Sequence, residues 1–236
     1  MIKEIIEEGY MPHKSSGKFS VSGVSGCRRE KYFALWKQYK KTWTAKDFRV
    51  FDLGDYVHRK CVSELICNAA SHGFEVVAAE VNLPEHQYLS GRVDCILSKI
   101  KNGEKTVVDF KSCSRWTINK VKEGIVSQGY KDQVNLYMHL LGIHKGYLLF
   151  VCKDNSEVEE FEVEYDEQRA LEVINEITDF FENYVYKGVM PPKCDGGDFG
   201  CEMCDDKLED FDIMDAQLNI QKQLNNGGSY KDLYNG

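Results

Sequence analysis

The chain has 236 residues, 42% of them hydrophobic and 12% aromatic, enough for one substantial α/β core or one core with an appended lobe. No run of about eighteen apolar residues occurs, which argues against a helical membrane span, and the acidic, amphipathic opening MIKEIIEEGY lacks the layout of a secretion signal, so a cytoplasmic protein is expected. The formal net charge of -8 does not exclude a nucleic-acid partner, because residues 1–60 carry thirteen Lys or Arg against seven Asp or Glu, whereas residues 154–215 carry twenty-one acids against four bases.

Residues 1–19 read as a short helix followed by a polar loop. SVSGVSGCRREKYFALWKQYK (20–40) opens with turn residues and runs into an amphipathic helix bearing Tyr32, Phe33, Leu35 and Trp36. A second helix is expected over about 47–71, where Val50, Leu53, Val57, Cys61 and Leu65 recur at helical spacing, and it ends near His72 and Gly73. FEVVAAEVNL (74–83) is a strand stopped by Pro84, and GRVDCILSKIKNGEKTVVDFKS (91–112) supplies two more strands around Asn102-Gly103. Helical segments fill about 117–143, the clearest being YKDQVNLYMHLLG (130–142), closed by Gly142. GYLLFVCK (146–153) and VEEFEVEY (158–165) are strands, 166–186 is a long amphipathic helix, and the tail after 206 is a peripheral helix or a partly disordered end. The order α-β-β-β-α-β-β-α implies a mixed sheet with helices against it.

The hairpin carries the chemistry. A two-residue turn at 102–103 pairs Lys101 with Glu104, which sets Ile96 opposite Asp109 and Asp94 opposite Lys111. Asp109 and Lys111, two residues apart, share a face, and Val108 and Phe110 point to the other. An exposed cross-strand ion pair with one spare carboxylate is the plain alternative, stabilising by only roughly tenths of a kcal/mol. The flanking Val93, Ile96, Val107, Val108 and Phe110 instead indicate a buried hairpin, in which two carboxylates repel unless a cation lies between them. A divalent ion held by Asp94 and Asp109 as hard oxygen ligands, with Lys111 as a point charge beside it, meets that need.

An aspartate, about a dozen residues, then Asp109-Phe110-Lys111 on the next strand resembles the PD-(D/E)XK nuclease superfamily, in the variant with Asp where many members have Glu. LGDYVHRKCVSEL (53–65) is similar to the helical Gly-x-x-x-His of RecB-like and CRISPR-associated members, with Gly54 and His58 in place, which implies His58 as a further metal ligand. Tyr130, Gln133 and Tyr137 share one helix face, and Gln133 and Tyr137 resemble the Gln-x-x-x-Tyr element of RecB-family nucleases. That likeness implies that Gln133 contacts a phosphate or the reacting water, and that Tyr137 positions the backbone or packs on Lys111. Glu80, in the preceding strand, is a weaker candidate, with a solvent-facing position as its equal alternative.

Nine cysteines are too many to ignore and odd in number. Cys61, Cys67, Cys95, Cys113 and Cys152 lie in apolar-patterned segments and are expected as small buried hydrophobes. Cys27, followed by Arg28 and Arg29, and the cluster Cys194, Cys201 and Cys204 resemble the cysteine set of Fe–S nucleases in the same superfamily, which implies a [4Fe–4S] cluster tying the chain ends together. Here Cys194 stands before the Cys201-x2-Cys204 pair instead of after such a pair, so a structural Zn2+ on the same four thiolates stays open.

The resemblance implies a restriction-endonuclease-like fold: a mixed central sheet flanked by helices, with a cysteine-cluster lobe joining N- and C-terminal segments. The expected division is an N-terminal segment 1–46, a nuclease core 47–187, a cysteine cluster 188–206 and a tail 207–236. The implied activity is phosphodiester hydrolysis with Mg2+ or Mn2+, as an exonuclease on single-stranded DNA or DNA ends. Its setting would be recombination, repair, phage DNA processing or CRISPR adaptation, with a protein partner from one of these. Asp94, Asp109, Lys111, Gln133 and Tyr137 would carry catalysis, and Arg28, Arg29 and Tyr130 would contact DNA. The alternative is a catalytically idle DNA-binding or scaffold subunit with a structural metal.

Overall fold

A computed structural model of the protein describes residues 16–194, 201–205, 208 and 211–234. The helix expected near the N-terminus lies outside them. Two compact units divide the chain: one includes Trp43–His86 and Ser90–Leu171, the other includes 16–42, Gln87–Leu89 and the described residues from Glu172 onward. Among the described residues no helix is long and apolar enough to cross a membrane.

The first unit is built on a five-stranded mixed sheet, β1 (Phe74–Asn82), β2 (Arg92–Lys99), β3 (Lys105–Cys113), β4 (Lys145–Cys152) and β5 (Val158–Glu164), hydrogen-bonded in that order. All neighbours are antiparallel except β3 and β4, which are parallel. That parallel pair needs a crossover, and the chain makes it through α3 (Arg115–Lys122) and α4 (Gln128–Leu141). Ser114 caps α3 and Ser127 caps α4 through their side chains, and Gly142 closes α4 with φ +64°, a conformation that favours glycine. Helix α2 (Ala45–Asn68) opens with a reciprocal capping box between Thr44 and Asp47 and covers one sheet face. There Val57 and Cys61 pack with Cys95, Val108 and Phe110. On the other face β4 alternates cleanly, with Leu148, Phe150 and Cys152 buried, and Gly146 lets α4 approach.

The hairpin register differs from the expected one. The Lys99 amide, not that of Lys101, donates to the Glu104 carbonyl, and the observed pairs run Cys95↔Val108, Ile96↔Val107, Leu97↔Thr106 and Ser98↔Lys105. The loop holds four residues, because the Gly103 amide folds back onto the Lys99 carbonyl at 2.8 Å and Gly103 adopts φ +71°. The slip moves each pairing by two residues, an even number, so every side chain keeps its expected face. Val108 and Phe110 accordingly remain in the α2-side core.

The second unit has an aromatic interior. Helix α1 (Arg28–Leu35) buries Tyr32, Phe33 and Leu35, with Trp36 just after it. The Trp36 indole donates to the Val185 carbonyl at 3.1 Å, and Tyr32 donates to Gln217 at 3.0 Å. The expected helix over 166–186 is α5 (Glu167–Asp179) followed by a π-helical turn at Phe180–Val185. The tail forms α6 (Ile213–Asn225), whose Gln217 and Gln221 amides both donate to the Gly188 carbonyl at 2.7 Å.

Gly146 allows a close helix–sheet approach in the first unit: a Cβ there would stand 2.6 Å from Val134 Cγ1 and 2.9 Å from Met138 Sδ. Gly146→Ala is expected to lower unfolding free energy by about 2 kcal/mol in urea titration; unchanged stability would contradict this packing.

Candidate active site and thiolate centre

The β2–β3 ladder ends at Cys95↔Val108. One step further, where Asp94 and Asp109 come next, a side chain takes over the pairing: Asp94 Oδ2 accepts the Phe110 amide at 2.7 Å. Asp94 is buried, and its other oxygen lies 3.5 Å from His58 Nδ1. His58 arrives from the middle of α2 and is fixed edge-on to Phe110, centroids 5.7 Å apart.

Asp109 is 1% exposed. Its Oδ1 accepts from Gln133 Nε2 at 2.8 Å, and Gln133 Oε1 accepts from Lys111 Nζ at 2.9 Å. Lys111 Nζ also stands 2.8 Å from Asp109 Oδ2, yet out of line for a hydrogen bond, so Oδ2 is a buried side-chain oxygen without a hydrogen-bond partner. Gln133 thus orients both charged groups from α4, and its amide reaches Tyr137 Oη at 3.2 Å. Tyr137 donates to the Arg92 carbonyl at 3.0 Å. The Tyr130 ring lies under Lys111, with the ammonium 4.8 Å from its centroid.

Glu80 belongs to this site. One ligand atom from each of His58, Glu80 and Asp94 lies within 4.8 Å of the other two, a grouping that excludes Asp109. Glu80 is exposed, as the solvent-facing alternative expected, and at φ +54° it stands between the regular pairs Ala79↔Cys95 and Val81↔Val93. A non-glycine residue at positive φ inside a strand is strained, and sequence periodicity carries no trace of it. Arg92 Nε holds Glu80 Oε2 at 2.6 Å.

Burial drives the Asp109 carboxyl up to about 6; the Lys111 ammonium opposes the rise and the Asp94 carboxylate adds to it. Burial disfavours a charged His58, but the hydrogen bond and charge of Asp94 outweigh it and raise the imidazole pKa. Carboxylate oxygens, one imidazole and the buried Asp109 oxygen, paired with Lys111 but lacking a hydrogen bond, form a donor set that suits Mg2+ or, with the nitrogen ligand, Mn2+.

In the second unit one sulfur from each of Cys27, Cys194, Cys201 and Cys204 lies within 4.8 Å of the others. Cys204 is buried, and its sulfur is 3.6 Å from those of Cys27 and Cys194. Burial raises both the Cys27 and Cys204 pKa values. Two backbone amides point at the cluster, Glu30 to Cys27 and Cys194 to Cys204. Arg28 donates to the Val24 carbonyl and pairs with Glu176, while Arg29 donates to the Pro191 carbonyl, so both guanidiniums have partners within this unit. Of the other five cysteines, four are buried as expected; Cys67 is exposed, on the outer side of α2.

No family model matches the sequence, and no curated protein matches it. Among solved structures the chain is similar to an alkaline exonuclease from Laribacter hongkongensis, with 17% identity over 71% of this chain and 88% of that one and a TM-score of 0.54. It is similar also to LHK-Exo in complex with dAMP, with 19% identity, the same coverage and a TM-score of 0.54. At these identities the likeness shows a shared fold, a mixed α/β sheet flanked by helices.

The four-cysteine group has a direct readout. Cys204→Ser is expected to abolish metal retention in the second unit, measured by elemental analysis after gel filtration, and to lower the thermal midpoint by several degrees. Equal metal content and midpoint would rule out a four-thiolate centre.

Proposed function

We propose that the chain is a divalent-metal-dependent deoxyribonuclease that hydrolyses phosphodiester bonds. The observation that carries this reading is the buried Asp109 carboxylate held against Lys111 by Gln133, next to Asp94 and His58. A structural ion pair needs none of this machinery, and burying it costs desolvation free energy that an apolar pair avoids. The neighbour solved with dAMP, a nucleotide of the kind that DNA hydrolysis releases, supports an exonuclease reading.

His58, Glu80 and Asp94, with Asp109 through its unbonded oxygen, would hold the divalent cation. The cation supplies charge neutralisation at the phosphate and makes water more acidic. Lys111, aimed by Gln133 and Asp109, stabilises the negative charge that develops as water adds to phosphorus and the P–O bond breaks. Gln133 fixes the lysine's direction, and Tyr137 braces Gln133 against the start of β2 through the Arg92 carbonyl. Tyr130, under Lys111 and 39% exposed, presents a ring to the strand.

The Cys27, Cys194, Cys201 and Cys204 thiolates would take a [4Fe–4S] cluster, as the sequence resemblance implies. A single Zn2+ is the second reading, favoured by the 3.6 Å sulfur edges, because one tetrahedral ion draws four sulfurs closer together than a cubane, whose thiolates bind separate irons.

Lys111→Ala is expected to cut the rate of Mg2+-dependent cleavage of a labelled oligonucleotide by about a hundredfold or more while leaving DNA binding in place; cleavage at the parental rate would remove Lys111 from the mechanism. Glu80→Gln is expected to weaken Mn2+ binding by at least about tenfold in titration calorimetry. An unchanged affinity would return Glu80 to a purely structural role.

A further inference from the structure

The first unit displays a second feature that the cleavage site does not use. Helix α3 starts two residues after β3 ends, and the strand's last residues, Lys111 to Cys113, lead straight into it through the Ser114 cap. Its sequence RWTINKVK contains Arg115, Lys120 and Lys122 and no acid. Ile118 and Val121 are buried and anchor the inner face, while Trp116 on the first turn is 62% exposed. Lys120 Nζ lies 3.8 Å from the Trp116 ring centroid. Lys122 is committed to Glu157, and Asp154 accepts the Arg115 amide. The helix thus presents an exposed indole with a cation over one face.

This pair stands at the carboxyl end of the parallel strands β3 and β4, the end of an open α/β sheet where ligands bind. Lys111 is on the same strand end, with the half-exposed Tyr130 ring beneath it. A large exposed aromatic beside cationic groups, near a centre that handles phosphates, has the chemistry of a base-stacking platform: the ring takes the π-face of a base and the cation takes the backbone. Base faces in a duplex are covered by their neighbours, whereas those of a single strand are open.

We propose that Trp116, with Lys120, stacks a base of single-stranded DNA whose backbone passes Lys111. This inference rests on the nuclease reading and specifies the substrate of that site. Trp116 is a positioning residue for the strand and takes no part in bond breaking.

The test uses the full chain in a chelating buffer, with a single-stranded oligothymidylate and a blunt hairpin duplex as probes. The protein has three tryptophans, Trp36, Trp43 and Trp116, and Trp36 is buried. The single strand is expected to quench the parent's fluorescence, and Trp116→Phe is expected to lose that quenching while Trp43→Phe keeps it. Trp116→Ala is expected to bind the single strand about tenfold more weakly, with duplex affinity and thermal midpoint unchanged. Single-strand affinity within twofold of the parent, or quenching that persists in Trp116→Phe, would overturn the proposal. If the parent cleaves DNA with Mg2+ while Trp116→Ala binds normally, this inference alone fails; if the parent neither binds nor cleaves DNA, the nuclease reading fails with it.

Discussion

A carboxylate that is 1% exposed, beside a lysine at 2.8 Å, sets the terms for the rest of the first unit. Asp109 sits on β3, second neighbour to both edges of the sheet, where an apolar residue would pack without desolvation cost. Tolerating it requires Lys111 on the same strand face, Gln133 reaching down from α4, and Tyr137 holding Gln133 in place. The crossover that makes β3 and β4 parallel is also what delivers α4 to this spot. Fold and site are therefore one arrangement. The helix that completes the sheet's second face is the helix that satisfies its buried charge.

A second constraint acts from the other side. The ladder between β2 and β3 stops just before Asp94, and the Phe110 amide finds the Asp94 carboxylate instead of a backbone carbonyl. This turns the carboxylate into a structural acceptor through one oxygen and leaves the other toward His58. The strained Glu80 completes a three-residue grouping with His58 and Asp94. Strain at one strand residue, held by regular pairs on both sides, persists because the surrounding ladder over-determines it. Such strain in a strand is expected at a site with a chemical task.

Much of this was legible in the residues. Alternation in the hairpin put Asp109 and Lys111 together and Val108 and Phe110 in the core, and both assignments survived a wrong register because the slip was even. The register itself was not legible: Asn102-Gly103 signals a turn, but whether two or four residues make the loop depends on the Lys99–Gly103 hydrogen bond. The approach of Glu80 to His58 and Asp94 was not legible, because a positive φ leaves no periodic mark. Tyr130 and Tyr137 share a helix stripe, and only packing decided which one lies under Lys111. Cysteine chemistry was readable as a set of four, since three of them fall within eleven residues, while the exposure of Cys67 was hidden by its apolar neighbours.

The central claim is that the buried Asp109–Lys111 pair serves metal-dependent hydrolysis of DNA. The most direct measurement is incubation of the purified protein with an end-labelled single-stranded oligodeoxynucleotide, with Mg2+ or Mn2+ and with chelator, followed by gel analysis. Shortening of the labelled strand is expected with either cation, and none in chelator. DNA left intact under all three conditions, by protein shown to be folded and metal-replete at its thiolate centre, would contradict it.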